Sequence, residues 1–277
     1  MGRFDQVYAI VLKLSVVHIR YLMKTIIKIL QLIYNIYALL LFITMMLMVF
    51  PFVVIASLFG KIKGGNFIYN ICRLWADAWY FLIGIFHKNI FAVPLDKTKQ
   101  YIFVANHISY LDIPSIIKSV RHHRLRALGK FETSKIPVFG FIYSSSVVMV
   151  DRNSAGNRAK SVMILKSVLK KGISIFIFPE GTFNETHQPL KDFYDGAFRI
   201  AIETNTPVKP ILFLDTYNRL NYKNILSLTP GKNRAVFLDE VSTENLSLND
   251  LQNLKQKVYS QMEAALIEYK ATWIGNS

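Results

Sequence analysis

Asn106-His107-Ile108-Ser109-Tyr110-Leu111-Asp112 sets an imidazole and a carboxylate five positions apart, directly after the strand-like run Tyr101 to Ala105. An imidazole titrates near neutral pH and can take a proton from a hydroxyl. A carboxylate on its far nitrogen fixes the tautomer and stabilises the imidazolium that forms. The pair alone is also what any polar loop carries, so a second element is needed. Phe178-Pro179-Glu180-Gly181-Thr182 supplies one, because it closes the apolar, β-rich run Ile173 to Phe178. A carboxylate followed by glycine at a strand end brings charge and bare backbone amides to one place. By itself this segment also reads as an ordinary turn, since Pro, Gly and Thr are common punctuation.

Both segments need a scaffold that delivers strand ends to a common edge. Beyond Asn89 short β-rich runs alternate with helical stretches. The strand candidates are Tyr101 to Ala105, Val147 to Val150, Ile173 to Phe178, Val208 to Leu214 and Ala235 to Leu238. Helices are expected over Pro114 to Val120, Ala155 to Lys170, Asp195 to Thr204 and Asp250 to Tyr269. In the last, Leu251, Leu254, Val258, Met262 and Ala265 form one apolar stripe, with Ser247 and Asp250 placed for a capping box. Such alternation predicts an α/β fold, a mixed sheet covered by helices, with His107 and Glu180 on loops leaving strand ends.

The N-terminal third is different in character. Ile29 to Phe59 is almost free of charge, and Ile36 to Phe59 exceeds the roughly 20 residues a helix needs to cross a bilayer. Residues 1–28 read as a basic amphipathic leader, 29–88 as a helical membrane-anchoring region and 89–277 as the catalytic domain. Lys24 and Lys28 precede the apolar run and Lys61 and Lys63 follow it, so basic flanks give no direction of insertion. Pro51 could break the segment into a re-entrant hairpin. Met23 is an alternative start. The stretch Phe67 to Phe86 carries Arg73 and Asp77 four apart, with Trp75, Trp79 and Tyr80 suited to the headgroup level or to a core. No cleavage site follows the apolar run, which reads as an uncleaved anchor.

Composition narrows the function classes. The chain has 277 residues, 33 basic and 18 acidic, for a net charge of +15. Such an excess seeks an anionic surface, and lipid is favoured over nucleic acid because no nucleic-acid-binding motif accompanies it. The single cysteine, Cys72, forbids an internal disulfide and a multi-cysteine zinc site, and reads as a helix-packing residue. No second His/Asp/Glu cluster has ligand spacing, so no metal is expected, and no Gly-x-Ser-x-Gly elbow supports a serine nucleophile. His122-His123, with Arg121, Arg124 and Arg126, reads as a basic membrane-facing patch, and His87 and His187 have no evident acidic partner.

Taken together, the blocks resemble the glycerolipid acyltransferase family of the lysophosphatidic acid acyltransferase type. Asn106-His107-x-Ser109-x-x-Asp112 matches its first block. Gly129-Lys130, Glu132, Pro137-Val138-Phe139-Gly140 and Val150-Asp151-Arg152 echo the second, Phe178 to Thr182 is the third, and Thr206-Pro207-Val208-Lys209-Pro210 a looser fourth. The resemblance covers residues 101 to 214. It implies transfer of a fatty acyl group from a thioester, acyl-CoA or acyl carrier protein, to a lysolipid hydroxyl, with no other cofactor. His107 and Asp112 would be catalytic, and Glu180, Gly181, Thr182, Arg152 and Lys130 would hold the acceptor. The site would lie at the membrane, on its cytoplasmic side.

Two departures bear on the acceptor. The arginine that in phosphate-accepting relatives follows the Glu-Gly-Thr triplet is Phe183 here, and the Phe-Lys-x-Gly pattern reads Phe193-Tyr194-Asp195-Gly196. Lysophosphatidic acid remains the first acceptor, a lyso-aminolipid such as a lyso-glycine or lyso-ornithine lipid the second. A catalytically idle lipid-binding protein is the alternative of another class.

Overall fold

The computed structural model describes residues 3–150 and 155–275. Helix α1, Arg3–Ser57, is followed by a π-helical turn, Gly60–Gly64, and helix α2, Gly65–Leu82. Strands β1 (Ile85–Phe91) and β2 (Ile102–Ala105) lead to helix α3 (Asp112–Ser119) and strand β3 (Leu125–Lys130). Helix α4 (Phe139–Ser146) runs directly into β4 (Val147–Val150). Helix α5 (Ala155–Leu169), β5 (Ser174–Ile177), α6 (Gly196–Glu203) and β6 (Val208–Phe213) follow. The chain ends through α7 (Thr216–Arg219), β7 (Gly231–Phe237) and α8 (Leu251–Glu268).

Seven strands form one sheet in the order β1-β7-β6-β2-β5-β3-β4. All neighbours are parallel except β6 and β7, so the sheet is mixed, as expected. Because β2, β5, β3 and β4 run the same way, their C-terminal ends share one edge, and β2 and β5 are hydrogen-bonded neighbours. The loops carrying His107 and Glu180 therefore leave the sheet side by side.

Side-chain alternation along the strands splits the core in two. Ile102, Val104, Ile175, Ile177, Val208 and Leu212 face α5, α6 and α8 through Leu165, Phe198, Val258 and Met262. Tyr101, Phe103, Phe176, Ile211 and Phe213 face the other way, onto Ile116 and Val120 of α3 and Tyr69 of α2. Helix α8 buries the expected stripe, and its capping box of Ser247 and Asp250 forms.

Helix α1 has 55 residues, or about 80 Å at 1.5 Å per residue. Lys13–Ser57 is long and apolar enough to cross a membrane, and its most apolar window is only 11% buried. The helix is continuous across residues 28 and 29 and through Pro51, so the break considered at that proline does not occur. Just beyond it, Val53 and Ala56 pack against Ile68 and Ile142 and offset the missing backbone donor. The chain turns instead at Gly60, which has φ +75°.

That turn is locked from the sheet. Arg126, only 4% exposed, donates to the carbonyls of Lys61 and Ile62 and to Asn66 Oδ1. His123 is buried too, and Arg121 pairs with Asp77, which also bonds Lys118. Of the basic patch expected around residues 121–126, His123 and Arg126 belong to this joint while Arg121, His122 and Arg124 stay exposed, and the patch lies at the start of β3, away from the C-terminal strand ends. Trp75 and Trp79 stack on each other and meet Phe42 of α1 edge-on, and Tyr80 is buried, which makes these aromatics packing residues. Cys72 packs in the same region, and burial pushes its thiol up to about 12.

Candidate active site

His107 stands two residues past the end of β2, and its Nδ1 lies 2.8 Å from Asp112 Oδ2. The same oxygen accepts the backbone N–H groups of Ile108 at 2.7 Å and Ser109 at 2.8 Å. Asp112 opens α3 and is fully buried, while the His107 side chain keeps 16% of its surface exposed. A carboxylate with two N–H donors already on Oδ2 takes the imidazole's Nδ1–H as a third. That leaves Nε2 as the nitrogen with a lone pair, the requirement for a base facing outward.

The turn between them is fixed from several sides. Asn106 pairs its amide with both backbone groups of Phe213, splicing the ends of β2 and β6 together. Ser109 Oγ donates to the Leu220 carbonyl at 2.6 Å, tying the turn to the loop after α7.

Glu180 reaches the site from β5. One carboxylate oxygen accepts the His107 backbone N–H at 2.7 Å and the other accepts the Lys191 backbone N–H at 2.9 Å. Only 1% of the residue is exposed. Both carboxylate oxygens are thus taken up by backbone donors rather than turned toward an acceptor, and Glu180 ties the His107 turn to the segment around Lys191. Burial pushes its carboxyl up to about 8 against the lowering effect of the two N–H donors, and the nearby Asp112 charge adds to the rise. A second link, Asn184 N–H to the His107 carbonyl at 2.7 Å, closes the third block over the first.

Gly181 makes that closure sterically feasible with φ +77°, and its N–H bonds the Phe178 carbonyl. Thr182 Oγ1 accepts from the Lys191 ammonium at 2.6 Å. Phe178 stacks on the imidazole with centroids 3.9 Å apart, and Phe183 lies against it at 4.4 Å. Tyr110 meets Phe183 edge-on at 5.0 Å and Tyr222 stacks on it at 6.1 Å. These rings exclude water beside the base, which strengthens its bond to Asp112.

The remaining candidates are less drawn in. Lys130 is exposed at the C-terminal end of β3, on the His107 edge but two strands from β2, and it pairs with no carboxylate among the described residues. At ~4.8 Å per strand that is roughly 10 Å away, within reach of a lipid headgroup rather than of the reacting hydroxyl. Arg152 lies outside the described residues. Tyr194 is 68% exposed, and its N–H bonds the Pro179 carbonyl. His87 bonds Asn89, and burial lowers it to about 4, while His187 bonds the Trp273 carbonyl. Sequence reading missed Lys191 and Tyr222. Each reaches the site from a loop that carries no strand or helix signal.

Residues 88–214 match the family model described as Acyltransferase. The chain is 29% identical over 180 residues to an uncharacterized acyltransferase of Schizosaccharomyces pombe, covering 63% of each. It is 28% identical over 181 residues to the 1-acyl-sn-glycerol-3-phosphate acyltransferase alpha of Mus musculus, covering 64% of this chain and 62% of the relative. With the 1-acyl-sn-glycerol-3-phosphate acyltransferase of Haemophilus influenzae it shares 26% over 206 residues, 72% of this chain and 82% of the relative. The match thus spans a little over three fifths of the first two relatives. Among solved structures, the 1-acyl-sn-glycerophosphate acyltransferase PlsC of Thermotoga maritima superposes with a TM-score of 0.67 at 23% identity. It covers 88% of this chain and 99% of its own, which shows a shared fold.

Proposed function

We propose that this chain, which belongs to the acyltransferase family through residues 88–214, acylates the free hydroxyl of 1-acyl-sn-glycerol 3-phosphate from a fatty thioester, forming phosphatidic acid. The names of its mouse and bacterial relatives support that acceptor. The observation that carries the chemistry is the 2.8 Å contact between His107 Nδ1 and Asp112 Oδ2, which leaves Nε2 free on the exposed side.

In this reading Nε2 takes the hydroxyl proton as the acceptor oxygen attacks the thioester carbonyl. The C–O bond forms, the C–S bond breaks, and the imidazolium returns its proton to the departing thiolate. Asp112 orients the ring and stabilises the imidazolium without itself being protonated. No covalent enzyme intermediate is required. Gly181, Thr182, Lys130 and Arg152 are the groups assigned to the acceptor, with Glu180 holding the base in place. The thioester is acyl-CoA or acyl carrier protein, delivered on the cytoplasmic side of a membrane that α1 and the net charge of +15 engage.

Membranes containing the protein, supplied with a panel of lysolipids and both donors and scored by product mass, test the proposal. Lysophosphatidic acid should be the best acceptor, and His107→Ala should lower turnover by roughly 10²- to 10⁴-fold with the fold intact. A His107→Ala protein as active as the wild type would eliminate the mechanism.

A further inference from the structure

We infer that Lys191 is the cation that receives the acceptor's phosphate in this chain, a positioning and specificity residue of the site described above; the inference rests on the acyltransferase reading. The residue after Thr182, Phe183, has no charge to offer, and its ring is turned against His107. A phosphomonoester beside that ring requires a cation from elsewhere.

Lys191 is held at both ends. Its backbone N–H is fixed on Glu180 Oε2 at 2.9 Å, and its ammonium donates to Thr182 Oγ1 at 2.6 Å and to the Phe183 carbonyl at 3.4 Å. Both ammonium partners are neutral oxygens, and among the described residues no carboxylate forms an ion pair with it. Lys166 and Lys255, by contrast, are neutralised by Glu203 and Asp195. Lys191 therefore presents an ammonium with no ion-pair partner among the described residues, and with a third donor direction, on the rim of the loop whose Phe183 ring touches the base.

The same carboxylate sets both reacting partners. Glu180 fixes the backbone of His107 with one oxygen and that of Lys191 with the other, so the turn that carries the base and the backbone that carries the cation are anchored on one group. An acceptor with its phosphate on the ammonium has its neighbouring hydroxyl delivered toward Nε2. A lysine grips as a point charge rather than through a fork, so this site attracts the more highly charged phosphomonoester without demanding one orientation.

The test compares Lys191→Met, Lys191→Arg and the remote surface variant Lys257→Met with the wild type on lysophosphatidic acid and on an uncharged monoacylglycerol. Loss of one charge-assisted contact should raise KM for lysophosphatidic acid by roughly 10- to 100-fold in Lys191→Met. Its kcat and thioester KM should stay within about threefold, arginine should restore most of the affinity, and Lys257→Met should change nothing. Monoacylglycerol turnover, however slow, should be equal in all four proteins. If the wild type uses lysophosphatidic acid and Lys191→Met shows an unchanged KM, the role of Lys191 is overturned and the acyltransferase reading stands. If the wild type ignores lysophosphatidic acid while acylating another lysolipid, the acceptor assignment falls and this role falls with it.

Discussion

Glu180→Gln removes the capacity to ionise from a buried group that spans two loops, and the stability consequences can be worked out with their signs. Burial raises the Glu180 carboxyl from an ordinary 4.5 to about 8. Between those values the unfolded chain releases a proton that the folded protein keeps. Stability must then fall as pH rises, by about 1.4 kcal/mol per pH unit, and by up to about 5 kcal/mol in all. That contribution is fully present below pH 4.5 and is lost once pH passes 8. Glutamine cannot titrate, so the variant lacks the slope. It has its own penalty, because its NH2 group must face either the His107 or the Lys191 N–H, leaving one buried donor without an acceptor at about 1–3 kcal/mol.

The two stability curves should therefore cross. Near pH 5 the wild type should be the more stable protein, and at pH 8.5 the glutamine variant, with the crossing near pH 6 if the lost bond is worth about 2 kcal/mol. His87, lowered to about 4 by burial, acts in the opposite sense between pH 4 and 6.5, but it is common to both proteins and cancels in the difference. Denaturant unfolding in a single detergent, followed by the fluorescence of the three tryptophans, measures both curves. Parallel curves from pH 5 to 9 would refute the reasoning, since they would mean that Glu180 is ionised throughout.

Two further perturbations separate chemistry from architecture. Asp112→Asn can keep an amide oxygen where Oδ2 accepts from Ile108, Ser109 and His107, with its NH2 in place of the unpartnered Oδ1, but it removes the charge that stabilises the imidazolium, so kcat should fall by roughly 10²- to 10⁴-fold, with a steady-state assay as the measure. A variant within threefold of the wild type would remove Asp112 from the mechanism. Arg126→Met strands the Lys61 and Ile62 carbonyls and Asn66 Oδ1; about 2–4 kcal/mol of stability should be lost while kcat of the folded fraction is unchanged, as paired melting and activity assays would show.

Legibility in the sequence followed the strength of the local signal. Ile102–Ala105 is a continuous apolar run, Ser174–Ile177 is apolar after its serine and Val208–Phe213 is interrupted only by Lys209, because both faces of these strands are covered, and each lies within an expected range. Strands β1 and β3 escaped notice because their sequences, Ile-Phe-His-Lys-Asn-Ile-Phe and Leu-Arg-Ala-Leu-Gly-Lys, interleave charges that only tertiary context accommodates. Arg126 shows the reason: a guanidinium read as surface charge is buried because three oxygens around Gly60–Gly64, distant in sequence, surround it. At the site, His107 and Asp112 were legible because five residues bring them together. Glu180 was legible as a site residue but its bracing contacts were not, since its partners are backbone amides that no side-chain pattern records.

The spacing of His107 and Asp112 has a physical reason that the hydrogen bonds supply. A carboxylate opening a helix would ordinarily serve the amides of its own first turn. Asp112 instead reaches back, and its Oδ2 gathers the N–H groups of Ile108 and Ser109 together with the imidazole of His107. Three consecutive residues thus converge on one oxygen, and the turn that brings them there is closed by the Asp112 N–H on the Ser109 carbonyl. A shorter spacing would leave no room for that turn, and a longer one would put the carboxylate a helical step away from the ring. Because the charge is balanced by amide dipoles rather than by a cation, the carboxylate keeps its full field for the imidazolium when the proton arrives. Its other oxygen, Oδ1, is buried with no hydrogen-bond partner among the described residues. The negative charge is consequently committed to a single direction, toward the base.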